Sequence, residues 1–454
     1  MKVKNIYKCL MIAFAALLLG SCSSPEVDAK FDQNATDRLS GRQKELNDLL
    51  LSSADGWKAV YYTDSTQLGG WTHLFKFLPN MKVDMASDFT GLDGEIDTKI
   101  YQSQYEMQVG STVSLVFTTQ NRIHLLSDAS NFPTGALLAK GYLGDFQFYY
   151  YGEKNGDIIF RTNRNSHFLR FVKATPKDWA DLAGNVPIIK AITGDMNSPL
   201  FRILAINDGT TTKNYDFDYN TSARFGTAYS LDPAVNTSYD LAFSFNPKGA
   251  FTKLPLDVKG QKLTDFVYDS ATNTFVATGK DGVKATIMYS NVPPRLTDDY
   301  KVTLPAAGAP STAYGYIAAN LASAPTNTPL CKFLLNQINS ASAAKVNRVQ
   351  FTFYNNRTVD IMYSFTGGKA TVYHRATITE DAVNKTIILK HSLWHNGTAV
   401  IPADALVKNL DDKLMDPKGL YVNRESFRFG GASNAIYTFT GASSSFRITT
   451  YAFQ

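Results

Sequence analysis

The chain has 454 residues, with 45 Lys and Arg against 40 Asp and Glu and a formal net charge of +5. That near balance speaks against nucleic acid as a partner, which usually shows as a clustered basic face. Three cysteines exclude a disulfide framework, and 13% aromatic with only 19% charged residues is the profile of a β-rich extracytoplasmic protein, because rings fit pleated, half-buried surfaces.

Residues 1–21 read as a secretion signal. Lys2, Lys4 and Lys8 form a basic start, and the apolar run from Leu10 to Leu19 is shorter than the ~20 residues that span a bilayer. The segment closes on Leu18-Leu19-Gly20-Ser21-Cys22, which resembles the bacterial lipobox. The resemblance implies cleavage before Cys22 and lipidation of its sulfur, with Gly20 and Ser21 small enough for a peptidase to approach. Several acyl chains anchor a protein stably where one binds only marginally, so the expected partner is a membrane, reached through the lipid. Ser23-Ser24-Pro25-Glu26-Val27-Asp28 is polar and acidic. It resembles the export signal that follows the cysteine in Bacteroidetes lipoproteins, which implies the outer face of the outer membrane. Residues 22–35 then form a lipidated stalk.

The remaining length suits about three modules of ~150 residues, placed at 36–175, 176–297 and 298–454. The first opens with a helix from Asp37 to Ser53, carrying Leu39, Leu46, Leu49 and Leu50 on one stripe, and Gly56 closes it. Strands follow at Trp57–Tyr62 and Trp71–Met85, the second with Trp71, His73, Phe75 and Phe77 alternating against Thr72, Leu74 and Lys76. Others run through Val113–Thr119, Asp145–Tyr151, Asp157–Thr162 and His167–Lys173. Thr175-Pro176 starts a short helix as N-cap and first helical residue. The middle module alternates cleanly over Asn214 to Asn220 and turns at Asn246-Pro247-Lys248-Gly249. After a linker at Asn291–Pro310, Thr328-Pro329 caps a helix with Leu330, Phe333, Leu334 and Ile338 on its stripe. Strands follow at Arg348–Asn355, Val359–Phe365, Ala370–Thr379, Thr386–His395 and Ser445–Phe453. The expected fold is mostly β, in antiparallel meander or barrel-like modules, each with a short helix.

Phe31-Asp32, Arg38, Asp55-Gly56-Trp57, Gly69-Gly70-Trp71 with Lys76-Phe77, and Gly144-Asp145-Phe146-Gln147-Phe148 form a set of turn glycines and strand aromatics. Together they resemble an uncharacterised family of Bacteroidetes outer-membrane lipoproteins, domain-of-unknown-function family 4302. Further on, Lys248-Gly249-Ala250-Phe251-Thr252-Lys253-Leu254 and Phe266-Val267-Tyr268-Asp269 resemble its later part. The resemblance covers roughly residues 30 to 290 and rests on turn glycines and strand aromatics. It implies an association with starch-utilisation-type uptake systems, beside whose components such proteins are encoded, and hence nutrient capture at the cell surface.

Chemistry-bearing patterns are sparse. His391 and His395 have a helical metal spacing but sit in a strand, where residues four apart lie about 13 Å from each other, so no metal site is expected. Asp88, Asp93, Glu95 and Asp97 crowd one loop without the spacing of a calcium loop and read as a solvated acidic loop. Asp298-Asp299 and Asp411-Asp412 fall in loop-like sequence and read as solvated pairs. Cys331 stands among apolar helix positions and reads as a buried, inert thiol. Neither a Gly-x-Ser-x-Gly elbow nor a phosphate loop occurs. No catalytic residue and no cofactor are therefore expected. Phe146, Phe148 and Tyr150 share one strand face, which leaves Tyr149 and Tyr151 on the other. These two, with Trp71 after its Gly-Gly turn and Trp394 beside Ser392, are the candidate ligand-binding rings, since an exposed ring can stack on a sugar or anchor a protein. The expected function is non-enzymatic binding of a glycan or nutrient, or an accessory role in an outer-membrane transporter complex. The alternatives are a protein–protein scaffold on that transporter and an unrecognised hydrolase, which would need a cleft with converging ionisable groups.

Overall fold

A computed structural model describes residues 34–453 apart from 92, 93 and 233. The secretion signal, Cys22 and the stalk up to residue 33 lie outside these residues. Asn34 accepts the Asp37 amide at 2.8 Å and caps α1 (Ala35–Leu51), an arrangement worth about 1 kcal/mol. Leu46 and Leu50 of α1 are buried in the core of the barrel that follows. Eight antiparallel strands build it: β1 (Trp57–Tyr62), β2 (Gly70–Leu78), β3 (Lys82–Ser87), β4 (Tyr101–Val109), β5 (Val113–Phe117), β6 (Gln147–Lys154), β7 (Asp157–Thr162) and β8 (Phe168–Lys173), with β8 returning to pair with β1. Eight strands enclose a space that side chains can fill, and here they do. Phe75 stacks on Phe171 at 4.8 Å and on Phe117 at 5.3 Å across the interior.

Two expectations are corrected in this barrel. The stretch Trp71–Met85 is two strands, broken at Pro79-Asn80-Met81, where Asn80 and Met81 take positive φ. The strand β4 left no alternating apolar signal, because only Ser103 and Tyr105 of its nine residues are buried.

Thr175 and Asp178 form a reciprocal capping box that starts α2 (Pro176–Asp181), and α3 (Asn185–Thr193) follows with Ile188, Ile189 and Ile192 buried. These three isoleucines belong to the core of the middle barrel. Its strands are β9 (Phe201–Asp208), β10 (Thr212–Asn220), β11 (Phe225–Ser230), β12 (Ser238–Asn246), β13 (Gly249–Val258), β14 (Gln261–Asp269), β15 (Thr274–Thr278) and β16 (Val283–Ser290), closed by β16 on β9. In β10 the rings of Tyr215, Phe217 and Tyr219 point in.

The third module begins with β17 (Thr312–Ile317), then α4 (Ala318–Leu321) and α5 (Pro329–Ala341), whose first turn is capped by Thr328. The buried face of α5 carries Cys331 and Leu335 beside Leu330, Leu334 and Ile338, while Phe333 is exposed, so the stripe sits about one residue from where it was expected. The module continues with β18 (Val346–Phe353), β19 (Thr358–Phe365), β20 (Val372–Asp381), β21 (Thr386–His395), β22 (Val400–Ile401), α6 (Lys408–Leu414), β23 (Leu420–Arg424), β24 (Ile436–Gly441) and β25 (Arg447–Phe453). β25 pairs with β17 and β20 with β21, so this sheet also returns on itself, with the short β22 attached to β21. The protein is thus mostly β, three successive antiparallel rings with helices packed into their cores.

The first two barrels are joined backbone to backbone. The Gly69 amide, just before β2, donates to the Ala223 carbonyl of the middle barrel at 2.8 Å. A Cβ on Gly69 would lie 2.3 Å from the Phe243 oxygen and 2.6 Å from the Arg224 Cβ, which is why only glycine fits this turn. Arg224 reaches from the middle barrel into the first, where it is buried against the equally buried Asp88.

Candidate functional site

The outer wall of the first barrel over β6, β7 and β8 carries a cluster of open rings. Phe148 and Tyr150 point into the core, so alternation turns Tyr149 and Tyr151 outward, with the register shifting between Tyr150 and Gly152. On β8, Leu169 and Phe171 are buried and Phe168 faces out. Tyr151 and Phe168 are 58% and 65% exposed, and their rings meet edge to face at 5.2 Å. Arg161 pairs across the sheet with both Tyr149 and Phe168 and holds its guanidinium 6.0 Å over the Phe168 ring. Its Nε donates to the Ser166 carbonyl at 3.1 Å, and the Tyr149 hydroxyl donates to Asn163 at 2.7 Å, so the polar ends are tethered and the ring faces are not. Tyr149 and Tyr151 therefore stand together as the sequence placed them. Phe168 was missed, although the inward phase of Leu169 and Phe171 was the signal that sets it outside. Phe146 does not share the face of Phe148. It precedes β6 and stacks on His124 at the surface, 4.8 Å between centroids.

The two tryptophans behave differently. Trp71 is 1% exposed and is no rim residue. Its ring packs edge to face on Tyr142 at 5.1 Å and on Phe89 at 5.5 Å, and the Arg224 guanidinium covers it at 5.7 Å. The Gly-Gly turn that suggested an open rim is the very contact made by the middle barrel, so Trp71 has no face left for a ligand. Trp394 is 6% exposed and stacks flat on His374 at 4.5 Å. What remains open of it borders a groove of about 590 Å³ at the third barrel.

That groove is lined by His374, His391, Ser392, Trp394, Lys408, Asp411 and Asp412, with Val400, Ile401, Pro402, Ala403 and Met415 as apolar wall. Asp411 is no solvated loop residue. It lies in the first turn of α6, buried, and accepts the Tyr363 hydroxyl at 2.7 Å and the His374 Nδ1 at 2.8 Å. His374 Nε2 lies 2.8 Å from Nδ1 of His391, whose ring is exposed. His395 goes to the other side of the sheet, against Tyr373 and Asp360. The four groups of the Asp411 network are far apart in the chain, and no local pattern announces them.

The remaining candidates disperse. Asp88 is buried with Arg224, and Asp97 pairs with Arg122 at 2.6 Å and accepts the Tyr101 hydroxyl. Asp93 lies outside the described residues. Asp298 joins Lys301 and Lys385, and Asp299 accepts the Arg424 amide. Among the described residues no three His, Cys, Asp or Glu side chains come together as a metal would need. Cys331 is fully buried, and burial pushes its thiol up to about 12, which removes it as a nucleophile. Among the described residues no helix is long and apolar enough to cross a membrane.

The model of one protein family, a domain of unknown function, matches residues 27–270. No curated protein matches the chain. The matched stretch runs through the first barrel to the end of β14, and two of its glycines hold tight backbone contacts. Gly69 seats one barrel on the next, and a Cβ on Gly249 would lie 1.9 Å from the Phe266 oxygen of the paired strand. With more than half its length matched, this chain belongs to the DUF4302 family.

Proposed function

We propose that this protein is a lipid-anchored component of the outer face of the outer membrane that holds a polysaccharide on the outer wall of its first barrel, in the service of a nutrient uptake complex. The observation that carries the reading is the Tyr151–Phe168 pair. Two large rings more than half exposed and in mutual contact lose apolar burial, and soluble proteins rarely keep such patches without a use. Sugars present flat C–H faces to aromatic rings, and the neighbouring Arg161 and the Tyr149 hydroxyl supply hydrogen-bonding groups at the edge. The rings stand on paired strands, so the surface is rigid before any ligand arrives.

Tyr151→Ala and Phe168→Ala are expected to weaken binding of the protein in polysaccharide-containing native gels by about fivefold each, at roughly 1 kcal/mol per lost ring contact. Their melting temperatures should stay near wild type because neither ring belongs to the core. A broad panel of soluble polysaccharides, none of which retards the wild-type protein, would overturn the assignment.

The membrane attachment rests on the sequence from Leu18 to Cys22. Cys22→Ala is expected to move the protein from the membrane fraction to the soluble one, without changing its circular dichroism spectrum. Unaltered sedimentation of the variant with membranes would refute the anchor.

A further inference from the structure

We propose that the groove of the third barrel is a catalytic site in which His391 acts as a general base and water hydrolyses a neutral carboxylic ester. This site is separate from the aromatic wall of the first barrel and does not depend on that wall binding a glycan.

Donor counting orders the network. An ionised carboxylate only accepts, and the Asp411 oxygens receive the Tyr363 hydroxyl at 2.7 Å and His374 Nδ1 at 2.8 and 2.9 Å. The proton of neutral His374 therefore sits on Nδ1, and its Nε2 is an acceptor. At 2.8 Å that acceptor takes the Nδ1 proton of His391. The lone pair of His391 is left on Nε2, at the open end of the chain. This is the logic by which a buried carboxylate sets the tautomer of a catalytic histidine, extended by one ring.

The surrounding structure holds the chain in place. His374 and Asp411 are buried, each with a side chain 3% exposed, and the Trp394 ring lies flat on His374, 9° from parallel. In β21 the register slips at Ser392: His391 pairs with Ala376 and Leu393 with Arg375, leaving Ser392 unpaired. Bulges of this kind re-aim side chains beside active sites. Here the slip lets both His391 and Trp394 border the groove, which strict alternation over three positions would forbid. A buried Asp–His pair serving stability alone would end at His374. This one continues to an exposed imidazole that lines a cavity.

The lining selects the substrate class. Val400, Ile401, Pro402 and Met415 offer an apolar wall to an acyl or alkyl group. Asp411 is committed to Tyr363 and His374, and Lys408 is paired with Asp412 at 2.6 Å, so there is no spare cation to clamp a phosphate or carboxylate. A neutral ester fits. In the first step His391 Nε2 takes a proton from water as the water oxygen bonds to the carbonyl carbon, giving a tetrahedral oxyanion. The positive charge formed on His391 is stabilised by the His374 Nε2 acceptor, whose tautomer Asp411 fixes. In the second step the oxyanion collapses, the ester C–O bond breaks, and the proton on His391 passes to the departing alkoxide. The products are a carboxylic acid and an alcohol. The Ser392 hydroxyl is the donor in the groove that would face the oxyanion.

The test is hydrolysis of 4-nitrophenyl acetate and butyrate by the purified full chain. His391→Gln, an exposed substitution that leaves the core untouched, is expected to lower kcat/KM at least tenfold, within the range general-base catalysis contributes. His395→Gln, on the far side of the sheet, should leave it unchanged. The wild-type rate should rise with pH along a limb that His391→Gln lacks. Asp411→Asn tests the positioning role, since it should displace the pH limb rather than only scale the rate. A wild-type rate equal to that of His391→Gln, or an equal loss in His395→Gln, would overturn the proposal.

Discussion

Arg224→Met is expected to destabilise the protein by about 3–5 kcal/mol, the cost of leaving a buried charge without its partner. Asp88 is fully buried. Its Oδ1 receives the Thr72 amide at 2.9 Å and the Arg224 guanidinium at 3.0 Å, and its Oδ2 receives Asn185 at 2.8 Å. Arg224 also donates to the Gly70 carbonyl at 3.1 Å and to the Asp88 carbonyl, while its plane is covered by Trp71 and, at 5.3 Å, by Phe245. Removing the cation strands the carboxylate between two barrels. Arg224→Met/Asp88→Asn should recover part of the loss, because the neutral amide can still accept from the Thr72 amide through its oxygen. Thermal unfolding of the wild type, both single variants and the double variant gives the coupling directly. Single-variant losses that simply add in the double variant would show that the pair does not couple the barrels.

Acidification is expected to weaken the first barrel through His73, and His73→Phe should remove most of that sensitivity. His73 is fully buried on β2, and neither ring nitrogen has a hydrogen-bond partner among the described residues. Burial first, and the nearby Arg224 charge second, hold its pKa down at about 3 against an ordinary 6.5. Below 6.5 the unfolded chain takes up a proton that the folded chain refuses, so stability is complete above that pH and falls as pH drops toward 3. The slope is about 1.4 kcal/mol per pH unit, or roughly 2–3 kcal/mol between pH 6.5 and 4.5. His124, also lowered by burial, adds a loss of the same sign. Comparing His73→Phe and His73→Leu with wild type by denaturant unfolding at pH 7 and pH 4.5 isolates the His73 share. An equal pH dependence in all three proteins would exclude His73 as its source.

Local order was legible wherever one residue's neighbours in sequence are also its neighbours in space. The alternation of Trp71, His73, Phe75 and Phe77 marked both the strand and its inward face, since a strand turns successive side chains to opposite sides. Thr175-Pro176 and Thr328-Pro329 marked helix starts, because caps act within one turn. The outward phase of Tyr149 and Tyr151 followed from the same two-residue period. Where that period carries little apolar contrast, as in β4, the strand was invisible. Where two strands meet at a tight turn of ordinary residues, as at Asn80-Met81, they read as one.

Alone, then, the sequence determined the β-rich class and most strand faces, all set by contacts within a few residues. The tertiary structure decided which rings a ligand can reach and which charges meet. Trp71 is closed off by Arg224, more than 150 residues later in the chain. Asp411, His374 and His391 join because barrel closure and the packing of α6 bring β20, β21 and the helix to one mouth. Burial and charge pairing depend on distances between elements, and no periodicity along the chain encodes those distances.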